Sequence, residues 1–147
     1  MSAESLPAIL HERFLRCSAQ HAFAVYAGRI GEWWDPNYSA NAETLRSVTI
    51  EPRIGGRVFA THEDLGEHEW GKVTVWEPGR RLAHTFTLAQ DPQAPTEVSV
   101  EFAVDGDGCN LLFAHGGWTE ANAADRAKFS DWPVLLDRFA ELAEASG

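Results

Sequence analysis

The chain has 147 residues, the length of one domain that can bury a core without disulfides or a structural metal. It carries 12 Lys and Arg against 22 Asp and Glu, a formal net charge of −10, so its field repels nucleic acid and anionic membranes. The N-terminal residues lack the basic segment and long apolar run of a signal peptide or membrane anchor, and we expect a cytoplasmic protein with reduced cysteines.

The first elements are predicted from a change in the spacing of apolar residues near the N-terminus. The segment AILHERFLRCS predicts a strand, because bulky and charged residues roughly alternate along it. From Ser18, a candidate N-cap, the spacing becomes helical, and Phe23 and Tyr26 share one face. Gly28 and Gly31 indicate that this stretch is divided into two short helices.

Six further strands follow a loop, DPNYSANAE. Gly55-Gly56 and Pro78-Gly79 are turn dipeptides between strand-like segments, which favours consecutive antiparallel hairpins. A turn-rich stretch, AQDPQAPTE, separates the fourth of these strands from the fifth. The predicted strands span about residues 45–51, 57–62, 68–76, 81–88, 96–104 and 110–117.

Alternation within the strands predicts which side chains face inward. In TEVSVEFAV the apolar and polar residues alternate strictly, so one face is buried and the other is exposed. The predicted inward sets are Val98, Val100, Phe102 and Val104 on this strand, Leu82, His84, Phe86 and Leu88 on an earlier one, and Leu111, Phe113 and His115 on the last.

The C-terminal segment TEANAADRAKFSDWPVLLDRFAELAEA predicts helical structure. Pro133 lies inside this pattern and predicts the start of a new helix or a kink. A twisted sheet of seven antiparallel strands with one long helix to cover it curls around that helix and leaves space between them. The apolar stripe of this helix comprises Trp132, Leu135, Leu136, Phe139 and Leu142.

Six segments in this order resemble START-like, helix-grip proteins of the SRPBCC superfamily. They are RFLRCSAQHAFAVY, WW, EPRIGGRV, GKVTVWEPGRRLAHTF, TEVSVEFAVDGDGCNLLFAHGGW and DWPVLLDRFAEL. The resemblance is nearest to the group similar to the C-terminal domain of the activator of the heat-shock chaperone ATPase, and it extends from about residue 8 to 143.

The resemblance implies an α+β fold of the order β-α-α-β6-α, in a single domain over residues 1–147. A curved seven-stranded antiparallel sheet would wrap around the long C-terminal helix and enclose an apolar cavity. The wider superfamily uses that cavity for lipids, sterols, polyketides and plant hormones. The group has no fixed catalytic signature that can be transferred to this sequence, so no catalytic residue is assigned.

Fifteen residues are candidates to line the cavity or its rim. Aromatic rings supply contact area at little cost in entropy, and six tryptophans are more than a small core needs. The alternative, that these residues only fill a core, is the more common role for apolar side chains. The candidates are Trp33, Trp34, Val58, Ala60, His62, Trp76, Leu82, His84, Phe86, Phe102, Phe113, His115, Trp132, Leu136 and Phe139.

Three of these candidates are histidines, which could donate, accept or transfer a proton. In a meander, His62, His84 and His115 lie two strands apart from one another in turn, so neighbouring pairs are separated by about 10 Å. A three-histidine metal site is therefore not expected, and we assign no metal and no cofactor. A pair completed by a helix carboxylate stays open as an alternative.

Two other patterns have ordinary interpretations. In THEDLGEHEW the HExxH zinc signature would need helical spacing, and a solvated acidic hairpin turn is the better interpretation. The helix-grip order implied by the resemblance pairs the first strand with the last and so brings Cys17 towards Cys109. No base adjoins either cysteine, so a nucleophilic thiolate is not expected.

Three hypotheses for function follow. The first is a soluble binder of a small apolar or aromatic ligand, without chemistry of its own. The second is a chaperone-associated interaction module; the named activator also uses a separate N-terminal domain, which weakens that hypothesis for this chain. The third is an enzyme of the cyclase or hydrolase kind with His84 or His115 as its acid or base. An edge strand together with Trp33 and Trp34 makes a homodimer a further possibility.

Overall fold

Seven strands and four α-helices form the part of the chain that the computed structural model describes, which is residues 7–39, 41–88, 95–119, 122–126, 129 and 131–146. The strands are β1 (Ile9–Leu15), β2 (Leu45–Ile50), β3 (Arg57–His62), β4 (Gly66–Glu77), β5 (Arg81–Phe86), β6 (Thr96–Asp105) and β7 (Gly108–Gly116). The helices are α1 (Ala19–Gly28), α2 (Ile30–Trp33), α3 (Ala123–Arg126) and α4 (Trp132–Ser146), with a 3₁₀ helix at Pro36–Tyr38.

All seven strands form one antiparallel sheet in the order β1-β7-β6-β5-β4-β3-β2. Strands β2 to β7 are therefore a meander, and β1 joins it beside β7. The predicted class, an α+β fold with a curved seven-stranded sheet and a C-terminal helix, is confirmed. The six predicted strands are present with small shifts at their ends, and most of the AQDPQAPTE stretch lies outside the described residues.

Irregular pairing bends the sheet around its helix. The register shifts between β2 and β3, between β3 and β4, and again between β4 and β5. Such bulges increase the local twist of a strand. At Gly71 a Cβ atom would lie 1.7 Å from the backbone oxygen of Thr85, so this close approach of β4 and β5 requires glycine.

The short helices begin and end at identifiable residues. The hydroxyl of Ser18 accepts a hydrogen bond of 3.0 Å from the backbone N–H of His21, so Ser18 caps α1 as predicted. The break between α1 and α2 falls at Arg29, one residue after Gly28, while Gly31 lies inside α2. The predicted division into two short helices is therefore confirmed.

Helix α4 supplies the apolar surface that packs into the curved sheet. Pro133 is its second residue, a position where the missing N–H costs nothing, so the predicted new start at Pro133 is confirmed. Its buried side chains are Trp132, Leu135, Leu136, Phe139 and Ala143, while Leu142 is partly buried. No helix within the described ranges combines the length and the apolarity needed to cross a membrane.

The predicted inward face is correct for most strand residues and wrong for Val104, which is 79% exposed. Ala103, Val104 and Asp105 are all exposed, so both faces of this end of β6 are in contact with solvent. Alternation therefore cannot predict a buried face there. Trp33 and Trp34 are both buried and offer no surface to a second copy. A homodimer through an edge strand stays a prediction.

The two cysteines meet beneath the N-terminal strand. Leu15 pairs with Cys109 across β1 and β7, and Cys17 follows two residues later. Both thiols are free and buried, and the thiol of Cys109 is hydrogen-bonded to Cys17. Burial, reinforced by Cys17, raises the pKa of Cys109 to about 11. A thiol with a raised pKa is a poor nucleophile.

Candidate ligand-binding cavity

A cavity of about 380 Å³ lies between the sheet and the N-terminal end of α4. Its walls come from the end of α2, the 3₁₀ helix and the residue after it, strands β4 and β5, and the start of α4. The lining residues are Trp34, Asn37, Tyr38, Ser39, His68, Phe86, Leu88, Phe129, Asp131, Trp132 and Leu135. Most of these side chains are aromatic or aliphatic, which is typical of a site for a small organic molecule.

Aromatic side chains form the inner wall. The ring of Trp132 lies 5.8 Å from that of Trp34 and 5.9 Å from that of Phe86, measured between centroids. Phe129 is nearly parallel to Trp132, at 18° and 6.4 Å. Trp34 rests on Trp70, 4.8 Å away and fully buried. The rings therefore hold one another in place and present fixed faces to the cavity.

Polar side chains also line the cavity. Asp35 caps the 3₁₀ helix by accepting a hydrogen bond of 3.0 Å from the backbone N–H of Asn37. The Tyr38 hydroxyl donates a hydrogen bond of 2.9 Å to a carboxylate oxygen of Asp131, the residue just before α4. This bond joins the 3₁₀ helix to the start of α4 at the cavity wall, and it raises the pKa of Tyr38.

One histidine lines the cavity, and it is not one of the predicted candidates. His68 lies on β4 with its ring 6.4 Å from that of His62 on the neighbouring strand. Burial, together with the charge of His62, lowers the pKa of His68 below its ordinary value. Among the described residues, Nδ1 of His68 and Nε2 of His62 have no hydrogen-bond partner. The lowered pKa keeps His68 in the neutral form at pH 7.

His115 is held by hydrogen bonds on both ring nitrogens. The indole Nε1 of Trp132 donates to Nδ1 at 3.0 Å, and Nε2 lies 2.6 Å from the hydroxyl of Thr96. An indole N–H can only donate, so Nδ1 is the acceptor and the ring proton is on Nε2, which donates to Thr96. The Thr96 hydroxyl in turn donates a hydrogen bond of 3.2 Å to the backbone carbonyl of Phe86. His115 is thereby fixed as a neutral tautomer.

Burial lowers the pKa of both inward histidines of the sheet. The pKa of His115 falls to about 3, with His84 as a further cause, and that of His84 falls to about 4. The carbonyl of Thr85 accepts a hydrogen bond of 2.7 Å from Nδ1 of His84. Neither histidine is among the residues that line the cavity. They are satisfied core residues here, and the structure does not support the expectation of either as a cavity acid or base.

The fifteen predicted candidates separate into three groups. Trp34, Phe86 and Trp132 line the cavity. Trp76 is half-buried against the core. The other candidates are buried elsewhere in the core: Trp33, Val58, Ala60, His62, Leu82, His84, Phe102, Phe113, His115, Leu136 and Phe139. Contact between any of these residues and a ligand stays a prediction.

Several lining residues were not predicted from the sequence. His68 begins the predicted strand over 68–76, and it lies on β4 as expected, but the acidic segment around it gave no reason to place it at a cavity. Leu88 and Leu135 were assigned to buried faces without being placed at a cavity. Tyr38 and Asp131 carried no signal, because they lie in short connecting segments. Within the described ranges no group of three or more His, Cys, Asp or Glu is placed to hold a metal ion.

Comparisons with solved structures show proteins of the same fold. The chain is similar to protein MLL2253 from Mesorhizobium loti, with TM-score 0.71 and 19% identity over 96% of this chain and 99% of that one. It is also similar to the Aha1 dimer from Colwellia psychrerythraea, with TM-score 0.70 and 16% identity over 95% and 97%. A third, an anthrahydroquino-Gama-pyrone synthase, Txn09, complexed with SUM, gives TM-score 0.62 and 24% identity over 93% and 97%.

A comparison with curated protein sequences found no match. A family model does match, that of the Activator of Hsp90 ATPase homolog 1-like protein, over residues 21–144. This range extends from the first turn of α1 to the last turn of α4, so it includes every strand after β1 and the whole cavity. The chain therefore belongs to the Activator of Hsp90 ATPase homolog 1-like protein family.

Proposed function

We propose that this protein binds one small, flat and largely apolar molecule in the cavity, without chemistry of its own. The observation that carries the proposal is the cavity wall, in which Trp34, Phe86 and Trp132 present rings and Leu88 and Leu135 present aliphatic groups. A volume of about 380 Å³ lies within the range of sites for small organic ligands. Moving a ring from water onto such a wall is favourable by about 25 cal/mol for each Å² buried.

The polar side of the cavity supports selection among such molecules. Asn37, Tyr38, Ser39, His68 and Asp131 bring polar groups to a lining that is otherwise aromatic and aliphatic. A few polar groups that meet a ligand in one orientation give specificity, because a mismatched ligand leaves them without a partner. The proposed ligand is therefore an aromatic molecule with at least one polar substituent.

The neighbour Txn09 is consistent with this proposal but does not carry it. That protein is named as a synthase and is complexed with SUM. At 24% identity its likeness shows the fold alone. It supports only the idea that this fold has room for an organic ligand.

A titration with the neutral dye N-phenyl-1-naphthylamine tests the proposal, because its fluorescence rises in an apolar site. We expect saturable binding to the wild type, loss of at least about tenfold in affinity in Leu88→Trp, and little change in Val104→Trp. Leu88 lines the cavity, whereas Val104 is 79% exposed at the far end of β6, so both variants add the same ring in different places. Retained binding in a folded Leu88→Trp protein would contradict the proposal.

His68 favours a second candidate function, an enzyme with a cavity acid or base. It lines the cavity, has a lowered pKa and has no partner on Nδ1 among the described residues. A lowered pKa makes the neutral imidazole available as a base near pH 7. The test is conversion of a bound aromatic compound, followed by mass spectrometry, in the wild type and in His68→Gln. We do not propose the chaperone role, because the observations concern a cavity and not a protein-binding face.

A further inference from the structure

The cavity combines aromatic faces with one negative charge that no cation of the described chain balances. Asp131 lines the cavity, and within the described residues it forms no ion pair with lysine or arginine. His68 is neutral at pH 7 because its pKa is lowered. Asp131 is thus the single formal charge among the lining residues that the structure describes. Asp131 is exposed as well as being part of the lining, and its charge together with the net charge of −10 favours a cation over an anion at this site.

The aromatic rings of the lining also favour a cation. The face of an aromatic ring carries partial negative charge, so it attracts a cation that lies within about 6 Å of the ring centroid. Trp132 is the residue directly after Asp131, and the rings of Trp34, Phe86 and Phe129 surround it at 5.8, 5.9 and 6.4 Å. Rings and carboxylate therefore lie on the same short segment at the start of α4.

The Tyr38 hydroxyl holds this carboxylate in place. It donates a hydrogen bond of 2.9 Å to Oδ2 of Asp131, and among the described residues no hydrogen bond to the other carboxylate oxygen is present. Tyr38 itself lines the cavity, so the hydrogen bond fixes the charge at the cavity wall and not away from it. A carboxylate with a fixed position loses less entropy when it binds a cationic group.

We propose that the ligand is an organic cation, an aromatic molecule that carries an ammonium group, and that Asp131 determines this specificity. The aromatic part would lie against Trp34, Phe86 and Trp132, and the ammonium group would bond Asp131. The same features disfavour fatty acids and other carboxylates, which would meet like charge. This inference rests on the proposed function, since it names the class of ligand for the same cavity.

Calorimetric titration with three naphthalene compounds of similar size tests the charge preference. They are 2-naphthylmethylammonium, the neutral 2-naphthylmethanol and 2-naphthoate. The variant is Asp131→Asn, which keeps an oxygen to accept from Tyr38 and removes only the charge. The matched control is Glu12→Gln, which removes one charge on the exposed face of β1, away from the cavity lining.

We expect the ammonium compound to bind the wild type about tenfold more tightly than the carboxylate. In Asp131→Asn this ratio of affinities should be smaller by a factor of about three. The alcohol should bind both proteins equally, and Glu12→Gln should match the wild type. Binding of the alcohol with no preference for the ammonium compound, or a preference unchanged in Asp131→Asn, overturns the cation specificity and leaves the proposed function standing. Failure of all three compounds to bind overturns both.

Discussion

The indole N–H of Trp132 donates a hydrogen bond of 3.0 Å to Nδ1 of His115. This bond connects the cavity wall to the interior of the sheet, because Trp132 lines the cavity and His115, fully buried on β7, does not. It also decides what His115 can do. A ring nitrogen that accepts from an indole cannot take up a proton without losing the bond, so His115 serves to position Trp132.

Trp132→Phe should therefore cost more stability than the loss of ring area alone. The substitution leaves Nδ1 of His115 buried and unpaired, a penalty of about 1–3 kcal/mol. Trp34→Phe is the matched control, since its indole N–H makes only a long bond of 3.4 Å to the carbonyl of Tyr38. Urea denaturation measures the difference. Equal losses of unfolding free energy in the two variants would contradict the structural role assigned to His115.

Stability should fall on mild acidification because His84 and His115 are buried in the neutral form. Their pKa values are lowered from 6.5 to about 4 and about 3, so the unfolded state takes up protons first as the pH falls below 6.5. Above pH 6.5 both rings are neutral in the folded and the unfolded state, and stability is not reduced. As the pH falls from 6.5 towards the folded-state pKa, only the unfolded state gains the proton, so the free energy of unfolding decreases. Between pH 7 and about pH 5 each should cost about 2 kcal/mol.

The control for this pH dependence is His84→Gln. It removes one of the two histidines with the most strongly lowered pKa and should reduce the fall in unfolding free energy by about 2 kcal/mol over the same interval. Carboxylates titrate mostly below this interval, so they contribute little to the difference. An unchanged pH profile in the variant would show that His84 is not buried as a neutral ring.

Gly71→Ala should destabilise the fold severely. A Cβ atom there would lie 1.7 Å from the backbone oxygen of Thr85, so β4 and β5 would have to separate at this position. We expect a loss of at least about 3 kcal/mol. Gly28→Ala is the control, because nothing lies within 4 Å of its Cβ position and alanine favours a helix. Thermal unfolding of both variants makes the comparison, and similar midpoints would rule out the close approach.

Tyr38→Phe should accelerate ligand dissociation from the cavity more than it lowers the free energy of unfolding. It removes the hydrogen bond that joins the 3₁₀ helix to Asp131, while the ring can still pack against the core. At a partly exposed position such a bond contributes about 1 kcal/mol. Stopped-flow measurements with N-phenyl-1-naphthylamine should show faster dissociation by severalfold. Glu12→Gln, on the exposed face of β1 and away from the cavity lining, should leave the rate nearly unchanged, and equal rates in all three proteins would exclude the Tyr38–Asp131 hydrogen bond as a barrier.

The fold could be predicted from the sequence because its signals are local. Alternation in TEVSVEFAV and the stripe from Trp132 to Phe139 reflect which side of an element is buried. The same signal fails at Val104, where the end of the hairpin has no buried side. Alternation along a strand shows which face of the sheet a side chain is on. It does not show whether that side chain fills the core or borders a cavity.

The cavity itself was only partly predictable for that reason. Trp34, Phe86 and Trp132 could be named because large rings were expected at the mouth. Tyr38 and Asp131 meet only because two short segments, distant in sequence, converge at the start of α4. His68 was hidden among acidic residues, and its position depends on where β4 begins.

Native mass spectrometry of protein purified from its own host, compared with the denatured mass, tests the central claim most directly. The account predicts a co-purifying small molecule that is lost on denaturation, is absent from Leu88→Trp and is retained by Val104→Trp. Its mass and charge would also indicate whether it carries an ammonium group. Wild-type protein without a bound molecule that also fails to bind N-phenyl-1-naphthylamine or any naphthalene compound would contradict the claim that this cavity is a ligand site.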